Sequence, residues 1–349
     1  MKREFATLAH SYHGNFEKVI GWYISRKLNG WGCLWDGGVT RGLPAYKIPF
    51  YYIGGDNRPI KSTGLWTIGR SNKYGIRPKT IQAPDWFLDM LPKDVPLQGE
   101  IWKDDNLSDI KSICGCSTEI KKSDPRWKDV KFFVYNYKPF SLWEIDCYKN
   151  TSGQVTGDVE IGLRFEKLVD SAFYKNVPLE ERIDNLSKVI LTKDYVESPV
   201  RLLPFFKIET LKDFALHSEL VKANRWEGSM LANPRTFYEC SRSHNLLKVK
   251  PKFDAEARII GHLPGKTGKN IGKMGAISCM LTWGEEVMSI TGGTKEMIGK
   301  TVYFSVSGMS DADRDWLIAE KKYPVNSMLS FTFSCISTHG VPSSCNVVN

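Results

Sequence analysis

The chain has 349 residues, 42% of them apolar, which suffices for one large or two ordinary domains with buried cores. The 48 lysines and arginines exceed the 39 aspartates and glutamates, so the net charge is +9. Because no apolar run reaches membrane-spanning length and no apolar signal core precedes Lys27, the sequence excludes a membrane protein and predicts a cytoplasmic one.

Short apolar runs alternate with turns over the first part of the chain. Predicted strands cover residues 22–24, 33–35, 50–53, 65–68 and 130–135, and predicted helices cover 85–91, 178–196 and 209–225. The strands are separated by Gly and Asn turn signals, and the helices have apolar residues at helical spacing. This mixture predicts an α+β domain over residues 1–252.

The sequence pattern changes at Asp254, where short β-like runs begin to alternate with Gly/Lys-rich turns. These runs cover residues 257–261, 275–283, 287–290, 301–306 and 328–335, with one predicted helix at 310–321. Five short strands in about a hundred residues are typical of a small barrel, for which the oligonucleotide-binding (OB) fold is the natural candidate. We therefore predict a second domain at residues 253–349, joined to the first by a hinge.

Lys27 lies in the string Ser25-Arg-Lys-Leu-Asn-Gly30, a K-x-x-G turn. A lysine amine attacks phosphorus only when deprotonated, and a cationic neighbour such as Arg26 favours the free amine. K-x-x-G also recurs by chance, where the lysine is an ordinary surface residue. The signal becomes specific because Gly99-Glu100, Glu227-Gly228 and a Lys248-Val-Lys250 run follow it. Together they indicate attack of Lys27 on a nucleotide α-phosphate.

Two carboxylates and two lysines complete this set. Glu100 and Glu227 each adjoin a strand-like run, where a carboxylate can hold a ribose hydroxyl or Mg²⁺. Lys248 and Lys250 alternate with apolar residues, which predicts that both lie on one face of a strand. Two inward-facing cations need an anion, and a nucleotide triphosphate supplies one.

Two further features are compatible with nucleotide and nucleic-acid binding. Phe132 and Phe133 lie on a predicted strand, where one ring is a candidate for stacking on a purine, although such aromatics more often belong to a core. Residues 248–273 carry seven lysines and arginines against two acids. A basic cluster of this kind suits a polyanion, and the alternative is a solvated basic face.

The whole set resembles the compact ATP-dependent DNA ligases of phages and small bacteria, within the covalent nucleotidyltransferases. The resemblance runs from about residue 20 to about residue 345. It rests on the stretches 26–30, 35–42, 83–88, 97–102, 127–135, 227–231, 246–251 and 254–266. The last stretch, with 273–276 and 307–311, extends the resemblance into the second domain.

The resemblance implies a nucleotidyltransferase domain followed by an OB domain, and three chemical steps. Lys27 takes AMP from ATP and releases pyrophosphate, AMP passes to the 5′-phosphate at a nick in duplex DNA, and the 3′-hydroxyl then seals the strand. The implied nucleotide site consists of Ser25, Arg26, Arg70, Glu100, Phe132, Glu227, Lys248 and Lys250, with Phe132 stacked on adenine. Glu100 and Glu227 would bind Mg²⁺, and DNA contacts would come from Arg41, Lys266, Lys269 and Lys273. The protein is expected to be a monomer, in the host cytoplasm if phage-encoded.

Two departures from the family pattern lie in the lysine turn. Asn29 occupies the position of the usual K-x-D-G aspartate, and Gly32 replaces the usual arginine, whose contact would fall to Arg26 or Arg41. The alternatives are an RNA ligase, since relatives with a relaxed K-x-x-G turn join RNA, or a ligase-derived nucleic-acid-binding protein without catalysis. The stretch Gly261–Lys266 favours DNA, and the retained lysines and Glu227 favour an enzyme. An mRNA-capping relative fits less well.

Overall fold

The computed structural model describes residues 4–51, 60–68, 71–72, 75–76, 78–114, 122–148, 159–192, 197–284, 295–337 and 339–348. The chain divides into two compact units. The first comprises residues 1–218 and 228–249, and the second comprises residues 219–227 and 250–349. Each unit is described separately below.

One sheet of the first unit contains the strand that ends at Lys27. Its order is β1-β12-β11-β2-β10. The strands are β1 (Leu8–Ser11), β2 (Tyr23–Lys27), β10 (Phe206–Lys207), β11 (Gly228–Ala232) and β12 (Arg242–Val249). β2 pairs antiparallel with both β10 and β11. Its outer face buries Ile24 in a small core with Trp22, Leu231 and Leu247.

The second sheet of the first unit has the order β4-β3-β7-β8-β9. Its strands are β3 (Trp31–Asp36), β4 (Leu65–Thr67), β7 (Pro96–Trp102), β8 (Lys131–Asn136) and β9 (Val200–Leu202), while β5 (Ser71–Asn72) pairs with β6 (Gly75–Ile76). Successive side chains of a strand point to opposite faces. On β8 this alternation buries Phe132 and Val134 completely and leaves Phe133 and Tyr135 partly accessible.

Six helices accompany these sheets: α1 (Asp85–Asp89), α2 (Leu107–Cys114), α3 (Phe140–Tyr148), α4 (Val159–Glu166), α5 (Leu179–Ile190) and α6 (Leu211–Ala223). Buried residues of the first five pack with the second sheet into the main core of the unit. α5 shows why: Leu179, Leu186 and Ile190 recur at helical spacing and are all buried. Each sheet therefore has its own core.

The second unit is built on a sheet of order β15-β14-β13-β16-β19. Its elements are β13 (Phe253–Pro264), β14 (Met274–Thr282), β15 (Thr301–Val306), α7 (Trp316–Lys322), β16 (Met328–Phe333), the paired β17 (Cys335–Ile336) and β18 (Pro342–Ser343), and β19 (Asn346–Val347). A parallel bridge links Ser307, just after β15, to Asn346. There Ser307 N–H donates to Cys345 O at 3.0 Å, and Val347 N–H donates to Ser307 O at 2.8 Å.

The mixed α+β class predicted from the sequence is confirmed. The predicted helix at 310–321 was wrong in its start, because residues 312–314 form a 3₁₀ turn and α7 begins only at Trp316, capped by the Asp315 carboxylate. The predicted strand at 287–290 lies outside the described residues. α2, α3 and α4 were not predicted. Within the described part of the chain, no helix is both long and apolar enough to cross a bilayer.

Candidate active site

A cleft lies between the two sheets of the first unit. Its lining contains four of the residues singled out in the sequence and ten others: Ser25, Arg26, Lys27, Leu28, Gln98, Glu100, Tyr135, Asn136, Leu179, Leu203, Phe205, Met230, Ala232 and Leu246. The lining thus combines apolar and aromatic side chains with a few convergent polar groups, which is typical of a small-molecule site.

Strand register fixes the backbone of Lys27 at this cleft. Lys27 is the last residue of β2 and pairs with Gly228. Two residues earlier, Ser25 lies opposite Met230, which in turn lies opposite Lys248. Since paired residues share a sheet face, Ser25, Met230 and Lys248 project to the same side. Lys248 is therefore on the face of the sheet that carries Ser25.

The carboxylate of Glu100 is tied to the lysine turn. Glu100 Oε2 accepts a hydrogen bond from the Gly30 N–H at 3.0 Å. A Cβ on Gly30 would lie 2.5 Å from the Ile101 carbonyl oxygen and 3.0 Å from Glu100 Oε2. The first contact is with rigid backbone, so only glycine fits where the turn approaches β7. The glycine of K-x-x-G thus has a steric reason in this fold.

The two residues that depart from the family pattern, Asn29 and Gly32, each have a close neighbour in the structure. Asn29 Nδ2 donates to the Asp105 backbone carbonyl at 2.8 Å, and Arg26 forms an ion pair with the Asp105 carboxylate. A Cβ on Gly32 would lie 2.7 Å from Ile68 Cδ1, so the Ile68 side chain fills the space where a larger residue would begin. Arg26 lines the cleft, whereas Arg41 does not.

The expectation that Phe132 stacks on a base was wrong. Its side chain is fully buried in the main core, because position 132 faces inward on β8. Phe133 is on the opposite face, but its ring packs edge-on against Trp102 at 5.4 Å. Tyr135, two residues further on that same face, lines the cleft instead. Burial raises the pKa of its phenol well above the usual range, so the hydroxyl stays protonated.

A buried amide accompanies Tyr135 in the cleft. The Gln98 side chain is 1% exposed and lines the cleft together with Tyr135. Its carbonyl oxygen Oε1 has no hydrogen-bond partner among the described residues. A buried acceptor without a donor is costly, so a ligand that offers an N–H would be favoured here. The half-buried ring of Phe205 is a second aromatic surface in the lining.

Glu227 and Lys250 belong to the second unit, where they pair with each other. Lys250 Nζ lies 3.0 Å from Glu227 Oε1, and both side chains are partly accessible. Neither residue lines the cleft of the first unit. Lys250 is nevertheless only two residues beyond Lys248, and Glu227 directly precedes the Gly228 that pairs with Lys27.

The four residues expected to contact DNA differ in their surroundings. Arg41 is engaged on the first unit, where its guanidinium lies 2.7 Å from Asp89 and 3.2 Å from Asp85. Lys266, Lys269 and Lys273 are exposed on the β13–β14 connection of the second unit, and Lys269 lies 2.6 Å from Asp311. Arg70 lies outside the described residues.

Sequence reasoning did not single out Gln98, Tyr135, Phe205 or Asp105. Gln98 and Tyr135 stood inside the recognised stretches 97–102 and 127–135, two residues before Glu100 and three after Phe132. Strand alternation from Glu100 would have pointed to Gln98, because both lie on one face of β7. Phe205 and Asp105 lie outside regular elements and had no sequence signal.

No protein-family model matches the chain, and no curated protein sequence matches it. Solved structures do. A structure of Lig E DNA ligases matches with a TM-score of 0.60 at 20% identity, covering 99% of this chain and 98% of its own. A second, Pmar-Lig_PreS3, matches with a TM-score of 0.64 at 17% identity, covering 99% of this chain and 67% of its own.

A third structure is more distant. The ATP-dependent DNA ligase from bacteriophage T7, in complex with ATP, covers 98% of this chain and 97% of its own at 13% identity, but its TM-score of 0.43 is too low to support an argument. The first two matches have the higher TM-scores, 0.60 and 0.64, and each covers 99% of this chain. The chain therefore shares the fold of Lig E DNA ligases, in agreement with the group of proteins that its motifs resemble.

Proposed function

We propose that this protein is an ATP-dependent DNA ligase that seals nicks between a 5′-phosphate and a 3′-hydroxyl. The observation that carries the proposal is the position of Lys27 at a strand end in the cleft, beside a glycine turn bonded to Glu100. The fold shared with Lig E DNA ligases over 99% of the chain supports the same function. Neither the turn alone nor the fold alone would suffice, because folds host many functions.

The lining residues fit an adenine nucleotide. Tyr135 and Phe205 offer aromatic faces for the base, and the orphaned Gln98 Oε1 is an acceptor suited to the exocyclic amine of adenine. Glu100 is our candidate for a ribose hydroxyl. Arg26, which lines the cleft, and Lys248, which lies on the sheet face that carries Ser25, are the candidates for the phosphates, because cationic side chains form charge-assisted hydrogen bonds with phosphate oxygens.

The first step would be carried out by the Lys27 amine. Its nitrogen attacks the α-phosphorus of ATP, an N–P bond forms, the bond to the pyrophosphate oxygen breaks, and the amine loses its proton. AMP then passes to the 5′-phosphate of the nick, and attack of the 3′-hydroxyl releases AMP. Lys248 and Lys250 would neutralise charge that develops on the phosphate oxygens.

Mg²⁺ would be held partly by the nucleotide itself. No cluster of three or more Asp, Glu, His or Cys side chains suited to a metal occurs among the described residues. Mg²⁺ commonly keeps its waters and binds one or two carboxylates together with substrate phosphates. Glu100 and Glu227 are the proposed carboxylates, and the Mg²⁺ ion would supply charge stabilisation at the phosphates.

We assign residues 253–349 to an OB domain that contacts the duplex. In this sheet β15 and β19 are the two edge strands. The bridge between Ser307, just after β15, and Asn346, in β19, is compatible with a barrel that closes between these two edges. Lys266, Lys269 and Lys273 are the proposed phosphate contacts. In this proposal nicked duplex DNA is the partner, and the protein acts as a monomer in the cytoplasm.

The test is sealing of a labelled duplex with a single nick, in the presence of ATP and Mg²⁺. We expect full-length product from a 5′-phosphate nick and none from a 5′-hydroxyl nick or in excess EDTA. A parallel reaction with single-stranded RNA ends separates the alternatives. Faster joining of RNA than of the DNA nick would replace the proposal by an RNA ligase, and AMP transfer with no joining of either would contradict ligation.

A further inference from the structure

Asp105, in the connection between β7 and α2, contacts residues on both sides of Lys27. Its carboxylate pairs with the Arg26 guanidinium, accepts from Trp102 Nε1 at 2.6 Å, and lies 3.4 Å from the Asn29 N–H. Its backbone carbonyl accepts from Asn29 Nδ2 at 2.8 Å. The guanidinium of Arg26 also lies 5.6 Å from the Trp102 ring centroid. One residue thus contacts both flanks of Lys27, 78 positions away.

The backbone at this position is unusual. Asp105 has φ of +53° and the preceding Asp104 has φ of +48°. Such a conformation costs about 1–2 kcal/mol for a residue with a Cβ, although aspartate tolerates it better than most. A costly conformation persists where surrounding contacts determine it, and such positions cluster at functional sites. The contacts of Asp105 with Arg26, Asn29 and Trp102 are those determinants.

Asn29 is matched to this arrangement. Its side chain donates to the Asp105 carbonyl, which a carboxylate could not do, because an aspartate has no N–H. An aspartate at position 29 would instead place negative charge against that carbonyl oxygen and near the Asp105 carboxylate. The carboxylate next to the lysine turn therefore belongs to Asp105, and residue 29 of the turn has an amide side chain that donates to Asp105.

We propose that Asp105 is the positioning residue of the lysine turn, supplying from a distant loop the carboxylate that resembling ligases carry at position 29. It holds Arg26 and Asn29 on either side of Lys27, and so aims the amine for attack. This inference rests on the function proposed above. Asp105 is not assigned contact with substrate, and it acts through the turn alone.

The experiment is a charge-exchange cycle on the full chain. The variants are Asp105→Asn, Asn29→Asp and the double exchange, with Asp104→Asn as the matched control, since Asp104 is exposed and its carboxylate pairs with Lys103. Single-turnover formation of the AMP adduct is measured against ATP concentration. We expect Asp105→Asn to lower the maximal rate by about tenfold or more, with a smaller change in half-saturating ATP, because misorientation affects attack more than binding.

The decisive result is whether Asn29→Asp slows or speeds adduct formation, measured with and without the Asp105 carboxylate. Asn29→Asp restores the family aspartate, yet we expect it to slow adduct formation when Asp105 is present. In the Asp105→Asn background the same substitution should instead speed adduct formation, because a single carboxylate is then restored beside Arg26. A merely structural role would give two losses that add, with no reversal. Additive losses, or a wild-type rate in Asp105→Asn, would overturn the proposal.

Hydrogen exchange separates this inference from the proposed function. Amide exchange of a peptide covering residues 26–31 should rise in Asp105→Asn and remain at the wild-type level in Asp104→Asn. This readout does not depend on catalysis. If the wild-type protein formed no adduct, the proposed function would fail, while unchanged exchange in Asp105→Asn would independently show that Asp105 does not hold the turn.

Discussion

Glu100 accepts a hydrogen bond from the backbone N–H of Gly30 at 3.0 Å, across 70 residues of sequence. This contact joins the strand β7 to the turn that follows Lys27. A Cβ at position 30 would lie 2.5 Å from the Ile101 carbonyl oxygen, which explains why a glycine stands three positions after the lysine. The hydrogen bond also places the Glu100 carboxylate next to the turn that follows Lys27.

Replacement of Gly30 by Ala should impair both folding stability and AMP transfer. The added Cβ would meet the Ile101 carbonyl oxygen at 2.5 Å, so the turn must move away from β7. We expect a loss of about 1–3 kcal/mol in the free energy of unfolding, typical of overpacking, together with slower adduct formation. Gly261→Ala is the control, because a Cβ there meets nothing within 4 Å. Equal behaviour of the two variants in denaturant titrations would refute the steric account.

Substitution of Tyr135 should mainly weaken ATP binding, whereas substitution of Phe132 should mainly lower the free energy of unfolding. Phe132→Ala empties a fully buried core position and should cost about 3–5 kcal/mol of stability. Tyr135→Ala removes a ring that lines the cleft, so we expect a rise of about tenfold in half-saturating ATP, in line with the loss of one stacked base contact. Chemical denaturation and ATP titration of adduct formation measure the two effects. An unchanged ATP requirement in Tyr135→Ala would remove this residue from the site.

The local K-x-x-G pattern was enough to single out Lys27, which lines the cleft, but the sequence did not identify the aromatic ring of β8 that lines the cleft. In the run Phe-Phe-Val-Tyr every residue is apolar or aromatic, so the pattern does not reveal which alternate set faces the core. Phe132 was chosen, and Tyr135 lies on the accessible face. Asp105 was not identified because its contacts are with Arg26 and Asn29, which are more than 70 residues away in the sequence.

The helices that were missed have a related cause. α3 is apolar nearly all round, so it has little of the one-sided pattern that marks a helix. α2 and α4 have only eight residues each, which gives the 3.6-residue period little length in which to appear. The four longer strands among the described residues of the second unit were predicted better than its helix, and β15, for example, alternates buried and exposed residues without a break.

Asp36 should make stability depend on pH. Burial raises the pKa of its carboxyl from 3.8 to about 6, while hydrogen bonds from Thr40 and Trp66 oppose part of that rise. Between these pH values the folded state binds more protons than the unfolded state, so stability falls as the pH rises through about 4 to 6. Asp36→Asn should flatten this dependence by up to about 3 kcal/mol. Parallel pH–stability curves for the two proteins would contradict the assignment.

Lys266 and Lys273 should affect DNA binding but not AMP transfer. Both are exposed on the β13–β14 connection and are proposed above to contact DNA phosphates. The double Ala variant should bind a nicked duplex more weakly, and the slope of log K against log salt should fall by roughly one for each lost contact. Lys321→Ala, an exposed lysine on α7, is the control. A salt slope identical to wild type would show that these lysines do not touch the backbone of DNA.

The most direct test of the account is the intact mass of the protein after incubation with ATP and Mg²⁺. We predict the addition of one AMP through an acid-labile bond to Lys27. Lys27→Ala should show none, while Lys188→Ala, which alters an exposed lysine on α5, should show the full adduct. A Lys27→Ala protein that still gained the full adduct, or a wild-type protein that gained none, would contradict the central claim.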